Sequence, residues 1–315
     1  MSELKTPRTE TLATHAPWET YRRPYVRDLA YVLACPNVLT EWLDVAPHQN
    51  THTVSVHSAS FWQQQFEGYQ QRLKELDTTN DYQALTRYLL KRPSPNRLGF
   101  HFEGLLSFWL EDGFARKLHP YEILANNVQL YNGKQTIGEL DLILYNHKEH
   151  LMEHWELAIK FFMGSPPFEP INWVGINSND NLQRKMTHMQ TKQFCSVWVD
   201  TKNHGKVKID KRYGVIKGRF FLPMSITCFV SPHWLTSSFP MHEWCDKTDS
   251  ATLATIDIAA LRAAHYIEWF SKRDFYDGRQ LPLVTSENGI LKTGLYFEGN
   301  RPIVIYPKKP DQAED

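Results

Sequence analysis

Apolar side chains recur at helical spacing through roughly the first third of the chain and at strand spacing after it. Val26 to Leu33 is a short apolar run that closes before Pro36 and predicts a helix. Phe61, Phe66, Tyr69, Leu73 and Leu76 return at helical intervals with Gln, Arg and Lys between them. That is an amphipathic helix with one buried stripe. Leu85, Tyr88, Leu89 and Leu90 predict another, stopped by Pro93 and Pro95. Phe100 to Leu110 predicts a mostly buried helix. The period then shortens. Asn127 to Tyr131 and Thr136 to Tyr145 read as strands around a turn at Asn132-Gly133, a dipeptide suited to tight hairpins. Val207 to Met224 is β-rich. Leu253 to Phe270 predicts a helix with Ile256, Ala260, Ala263 and Ile267 near one face. Gly294 to Tyr306 predicts a hairpin turning at Gly299-Asn300.

These breaks predict a flexible tail at 1–24, a helical region at 25–95, a core at 96–235 and a C-terminal α/β extension at 236–315, with polar, frayed last residues. The Pro93-Ser94-Pro95 run is the sharpest boundary. No internal repeat or low-complexity tract is present.

Composition narrows the class only modestly. With 42% hydrophobic and 13% aromatic residues in 315, the chain has enough apolar surface for a packed core and is not a disordered protein. Thirty-five Lys and Arg balance 35 Asp and Glu. This argues against a binder that coats nucleic acid over its whole surface, but leaves room for a local basic patch. No run of about 20 apolar residues predicts a membrane span, and Met1 to Tyr21 lacks the apolar stretch of a secretory signal. Cys35, Cys195, Cys228 and Cys245 are far apart and form no CxxC pair. Scattered thiols fit a reducing, cytoplasmic setting, with each Cys expected as a small buried hydrophobe.

The chemistry lies in Gly138-Glu-Leu-Asp-Leu-Ile-Leu-Tyr145 and Trp155-Glu-Leu-Ala-Ile-Lys-Phe161. Taken as strands joined by the polar Asn146 to Glu149 turn, they alternate faces. Glu139, Asp141 and Ile143 then share one face of the first strand, and His154, Glu156, Ala158 and Lys160 one face of the second. Leu140, Leu142 and Leu144, with Trp155, Leu157, Ile159 and Phe161, take the opposite faces. Two acids and a lysine thus stand in the middle of apolar strands, where charge is costly unless it has a partner or a task. Two carboxylates can hold a hard divalent cation, and a nearby lysine can position or deprotonate a water or stabilise phosphorane charge.

These residues resemble the PD-(D/E)XK nuclease superfamily. Asp141 matches its first acid and Lys160 its lysine. The second acid of that pattern stands two residues before the lysine, where this chain has Ala158; Glu156, two residues earlier, keeps the same strand face. Glu103 matches a helical glutamate that many members use as a further metal ligand or supporting group. Gln193 resembles a glutamine of exonuclease-like branches, with Gln190 as its competitor. Arg27 to Ala30, Arg97-Leu98-Gly99, Gly138 to Asp141 and Trp155 to Lys160 together resemble an uncharacterised bacterial family of about this length, over roughly residues 25–200. The resemblance implies an α/β fold with a restriction-endonuclease-like mixed sheet flanked by helices, its nuclease core at 96–235. It also implies Mg²⁺- or Mn²⁺-dependent cleavage of DNA or RNA. Asp141 and Glu156 would bind metal, Glu103 would assist, Glu139 would be a reserve ligand, and Lys160 and Gln193 would serve the reaction.

Two other readings compete. A solvated strand face with ordinary ion pairing would explain the same charges, leaving a non-catalytic nucleic-acid- or protein-binding module on the same fold. His150-Leu-Met-Glu-His154 is also a literal H-x-x-E-H, the inverted zinc-protease pattern, which needs a helix to bring both histidines to one face. The strand assignment is preferred, because the helix would leave Asp141 and Lys160 unexplained. A basic stretch follows. Between residues 184 and 219 stand ten cations (Arg184, Lys185, Lys192, Lys202, Lys206, Lys208, Lys211, Arg212, Lys217 and Arg219) against Asp200 and Asp210. Trp198, His204 and Tyr213 lie among them. A phosphate-backbone track and a lysine-guarded edge strand both fit this pattern.

Overall fold

The structure is a computed structural model that describes residues 16–45, 52–94, 97–132, 135–177, 179–272 and 291–307. Four helices precede the sheet: α1 (Pro24–Ala34), α2 (Ala59–Thr78), α3 (Tyr82–Leu90) and α4 (Leu98–Ala115). Ser58 caps α2, its side chain accepting the Phe61 amide at 3.1 Å. Trp62, Phe66, Tyr69, Leu73 and Leu76 form its buried stripe. In α4 Phe102, Leu105, Leu106, Trp109 and Leu110 are all buried, so this helix is covered on most sides.

A long hairpin follows, β1 (Tyr121–Asn132) with β2 (Gln135–Asn146), then β3 (Leu151–Gly164) and the two-residue β4 (Trp173–Val174). Past α5 (Leu182–His188) and a π-helical turn at Met189–Gln193 come a separate hairpin and a long strand. The hairpin is β5 (Trp198–Thr201) with β6 (Gly205–Lys208), and the strand is β7 (Lys211–Pro223). The sheet is completed by β8 (Met241–Asp246), β9 (Leu261–Ala263), β10 (Gly294–Glu298) and β11 (Arg301–Tyr306).

The main sheet is mixed. Its strands run β1-β2-β3-β7-β8-β11-β10-β9, with β4 on the free edge of β3. The joints β3–β7, β7–β8 and β8–β11 are parallel; the others are antiparallel. Strands in the middle of such a sheet are buried on both faces, and Val215 to Leu222 is buried throughout although it carries Lys217 and Arg219. One core joins α1–α4 to β2, β3 and β7 through Trp62, Trp109, Leu142, Leu144, Trp155 and Ile216. The segment before α2 is stitched to the same sheet: Val38 donates to Ile216 O, and Asn37 Nδ2 to Gly214 O. The helical region and the strands therefore share one interior, and the sheet continues without a break past residue 235.

Three expectations need correction. The N-terminal tail ends earlier than residue 24. Pro17–Thr20 is a 3₁₀ turn, and Trp18 and Tyr21 are buried, Trp18 edge-on to Tyr31 at 4.9 Å. Residues 1–15 lie outside the described residues, as do Gly133 of the first hairpin turn and the last eight residues. Leu253–Phe270 is not a helix. Asp249 and Asp257 turn their carboxylates onto the amides of Ala251, Thr252 and Ala259, starting separate short turns. Leu261–Ala263 then joins β10 as a strand, burying Leu261 among Ile256, Tyr296 and Ile303. Cys35 and Cys245 are buried as expected, but Cys195 and Cys228 are exposed; all four are free thiols. Among the described residues no helix is long and apolar enough to cross a membrane.

Candidate functional site

The site lies at a fork in the sheet. β2 and β3 pair from Asn146↔Leu151 up to Leu142↔Trp155. One step further, side chains replace the ladder. The Leu157 amide donates to Asp141 Oδ2 at 2.7 Å, and the Asp141 amide to Glu156 Oε1 at 3.3 Å. β3 continues beside β7, whereas β2 continues beside β1. The two acids therefore occupy the place where the strands part.

A kink opposite Asp141 helps set this geometry. Asn127 of β1 has a φ of 51°, a left-handed conformation that Asn tolerates better than most residues. Strict alternation breaks here. Leu142 and Leu144 enter the main core, while Leu140 joins Ile143 in a second cluster with Val199, Val207 and Ile209 beneath the β5–β6 hairpin. The expectation that Leu140 shares a face with Leu142 therefore fails. Asn127 Nδ2 also donates to Glu139 Oε1 at 2.7 Å, and Gln129 Nε2 bonds the other Glu139 oxygen. Glu139 is thereby held by two amides of β1.

Glu156 is fully buried, and three polar groups meet it. His154 Nε2 lies 2.6 Å from Oε1, the Asp141 amide reaches the same oxygen, and Gln193 Nε2 bonds Oε2. Burial pushes His154 down to about 3, so the imidazole is neutral. Its Nδ1 is buried without a hydrogen-bond partner among the described residues. Burial, reinforced by the neighbouring Glu156, holds Asp141 well above the usual carboxylate range. Burial likewise raises Glu156, against the pull of Lys185 and of the bonds with Asp141. Glu103, on α4, is raised to about 7 by burial and then by Asp141. Arg92 opposes that rise and pairs with Glu103 at 3.2 Å.

Lys185 was not singled out by the sequence beyond its place in the basic stretch. On α5 it donates to Gln193 Oε1 at 3.4 Å. Burial lowers its pKa, while Glu156 and Asp141 support its charge. A chain of contacts thus runs from Lys185 through Gln193 to Glu156. Asn181 caps α5, accepting the Arg184 amide at 2.8 Å, and the π-helical turn that follows carries Gln193. A wide helical turn next to a candidate site matches a known habit of π-bulges. Gln190, the competitor, turns elsewhere: it bonds Asp44 and accepts Trp42 Nε1 at 3.3 Å.

Lys160 is placed differently from expectation. Its ammonium pairs with Asp180 at 2.6 Å, on the wall of a cleft of about 330 Å³ that also includes Phe161, Ile176 and Trp269. It is near enough to oppose the charge of Lys185. Asp141, Glu156, Glu103, Lys185 and Gln193 are thus brought together, Glu139 stands beside them, and Lys160 faces Asp180.

The H-x-x-E-H segment does not converge. His150 sits in the turn before β3 with a φ of 57° and meets Tyr145. Glu153 bonds Asn146 and Trp155, whereas His154 bonds Glu156. Among the described residues no group of three or more His, Cys, Asp or Glu is arranged to hold a metal ion. The basic stretch is also thinner than its sequence count. Arg212, Lys217 and Arg219 are buried and donate to backbone carbonyls. Arg184, Lys192, Lys202, Lys206, Lys208 and Lys211 remain exposed.

The fold is a mixed α/β sheet with a buried acid pair at a strand fork. A family model described as Domain of unknown function (DUF1853) matches residues 27–286, and the chain belongs to that family. No curated protein and no solved structure matches the chain.

Proposed function

We propose that this protein is a metal-dependent nuclease, a divergent member of the PD-(D/E)XK superfamily with a restriction-endonuclease-like core, acting on nucleic acid in the cytoplasm. The observation that carries the reading is the acid pair. Asp141 and Glu156 are bonded through each other's strands and buried, and both stay raised despite the pull of Lys185. Burying two neighbouring carboxylates is unfavourable unless they hold protons or a cation. Their oxygens suit Mg²⁺ or Mn²⁺, which Mg²⁺-type sites commonly hold by one or two carboxylates, with water and substrate phosphate completing the shell. Asp141 would be the first ligand and Glu156 the second, with Glu103 supporting from α4 and Glu139 in reserve. Held by these residues, a cation would supply polarisation of the phosphoryl oxygen and a more acidic water.

The chain's own groups divide the remaining work. Gln193 and His154 orient Glu156. Lys185, the cation nearest the pair through Gln193, is placed to steady charge that develops on the phosphate oxygens. Lys160 would act on the substrate from the neighbouring cleft, after Asp180 releases it.

Cleavage of single- and double-stranded DNA, RNA and branched forms with Mg²⁺ or Mn²⁺ tests the reading. Activity should vanish in EDTA and in Asp141→Ala. Binding that survives both treatments, with no cleavage by wild type, would favour the non-catalytic module.

A further inference from the structure

The β5–β6 hairpin stands apart from the main sheet and has two unlike faces. Val199 and Val207 turn inward and pack with Ile209 on Leu140 and Ile143. Trp198, Asp200, Lys206 and Lys208 turn outward. Trp198 is 52% exposed, an unusual state for the largest apolar side chain. In the ladder it stands opposite Lys208, and the Lys206 ammonium lies 5.9 Å from its ring centroid. Lys202, at the hairpin tip, and Lys211, just past it, are exposed as well. Of the nearby acids, Asp200 faces Lys206 in register, and Asp210 accepts the Met152 amide at 2.9 Å.

The base of the hairpin is firmly held. Arg212 donates to Phe194 O at 3.0 Å and also bonds Ser196 O. These bonds fix the link from Gln193 to Trp198, five Cα–Cα steps long. Five residues reach at most about 18 Å, so the exposed ring is tied close to the fork.

We propose that the outer face of β5–β6 is a docking platform for single-stranded nucleic acid, an unpaired base stacking on Trp198 and its flanking phosphates meeting Lys206, Lys208 and Lys202. A flat indole between lysines matches both halves of a nucleotide: the ring takes a base of any sequence, and the ammonium groups take the backbone. Duplex bases, already stacked on each other, leave the indole no free face to cover. The inference rests on the nuclease reading for its biological use, but not for its test, because binding is measured without metal.

Fluorescence anisotropy in EDTA, with labelled oligothymidylate, oligouridylate and a duplex of equal length, provides that test. Wild type should bind the single strands more tightly than the duplex. Trp198→Ala should weaken single-strand binding by roughly 5- to 150-fold, the range expected for loss of one stacked base. Trp198→Phe should retain most of the affinity. Both variants should melt with wild type, since the ring is half exposed. Lys206→Gln and Lys208→Gln should each reduce the salt slope for single strands by about 0.7. A preference between the DNA and RNA arms names the polymer. Equal affinity of Trp198→Ala and wild type, no single-strand binding by wild type, or self-association that depends on Trp198 without oligonucleotide binding would each overturn the proposal. Metal-dependent cleavage alongside any of these would leave the nuclease reading standing.

Discussion

Asp141 and Glu156 stand where the β2–β3 ladder stops, and each takes part in the other's strand. The Asp141 amide donates to Glu156 Oε1 at 3.3 Å, and Asp141 Oδ2 accepts the amide of Leu157, the residue after Glu156, at 2.7 Å. The strands are thus held apart at the one point where two buried acids face each other. Opening a sheet there sacrifices backbone pairing, and the carboxylates restore it.

This arrangement makes the metal-free protein sensitive to pH. Glu103 is raised from 4.5 to about 7, and Asp141 and Glu156 are raised as well. Between the ordinary carboxylate range and these raised values, the folded state holds protons that the unfolded chain has released. The stability these groups contribute is therefore full below about pH 4 and is lost as pH rises through neutrality. In EDTA, Asp141→Asn should gain in Tm relative to wild type between pH 5 and pH 8. Millimolar Mg²⁺ should raise the wild-type Tm, most at the higher pH. A wild-type–variant difference that does not change with pH would show that burial does not raise the pair.

The two lysines should separate in a kinetic comparison. Lys185 is linked to Glu156 through Gln193, whereas Lys160 is held by Asp180. Lys185→Ala should lower single-turnover cleavage by roughly 10²–10⁴-fold, the usual range for a positioned proton-transfer or charge-stabilising group. Lys160→Ala should act mainly on KM. The reverse ranking would return the reaction's lysine to Lys160.

Lys217 looks like part of the basic track in the sequence, yet it is a core residue. It is fully buried, its ammonium lies 3.4 Å from the Trp62 ring centroid, and it bonds Val32 O and Cys35 O at the C-terminal end of α1. Burial pulls its pKa down to about 7, and its amine covers carbonyls that have no partner within the helix. Lys217→Ala should cost roughly 3–5 kcal/mol in urea denaturation, from the cavity and the orphaned carbonyls. Folded variant should retain wild-type affinity for oligonucleotides. Weaker binding at unchanged stability would contradict this placement.

Gly218 is constrained by the strand next to it. Its φ is 139°, and a Cβ built there would lie 1.6 Å from Lys160 O on β3. Gly218→Ala should therefore force β3 and β7 apart and cost roughly 3 kcal/mol or more, visible as loss of soluble protein or a much lower Tm. A variant that melts with wild type would show that the joint tolerates separation.

The acid pair was legible in the sequence because charge in the middle of an apolar strand is rare and local. So were helices α1–α4 and the C-terminal hairpin, whose periodicity and turn residues are local signals too. What escaped depends on distant partners. Lys185 sits in an ordinary polar helix, and only the packing of α5 brings it to Glu156. Arg212, Lys217 and Arg219 find backbone carbonyls far away in sequence, which no count of charges reveals. Lys160 shares a strand with Glu156, but Asp180, twenty residues on, claims it. The parity of β2 changed between Leu140 and Leu142, opposite the left-handed Asn127 of β1, which alternation cannot foresee. The Leu253–Phe270 pattern fitted a helix, but Asp249 and Asp257 capped short turns and β10 captured Leu261–Ala263.

The acids at the β2–β3 fork are proposed to form a metal-dependent catalytic centre. The most direct measurement compares wild type with Glu156→Gln, prepared identically, on the panel of DNA, RNA and branched substrates with Mg²⁺ or Mn²⁺. The amide keeps the side chain's size and removes its charge. Wild type should cut at least one member of the panel, and the variant, folded to the same Tm or higher, should lose that activity by more than 100-fold, as EDTA does. Equal cutting by both proteins, or no cutting by folded wild type with either metal, would contradict it.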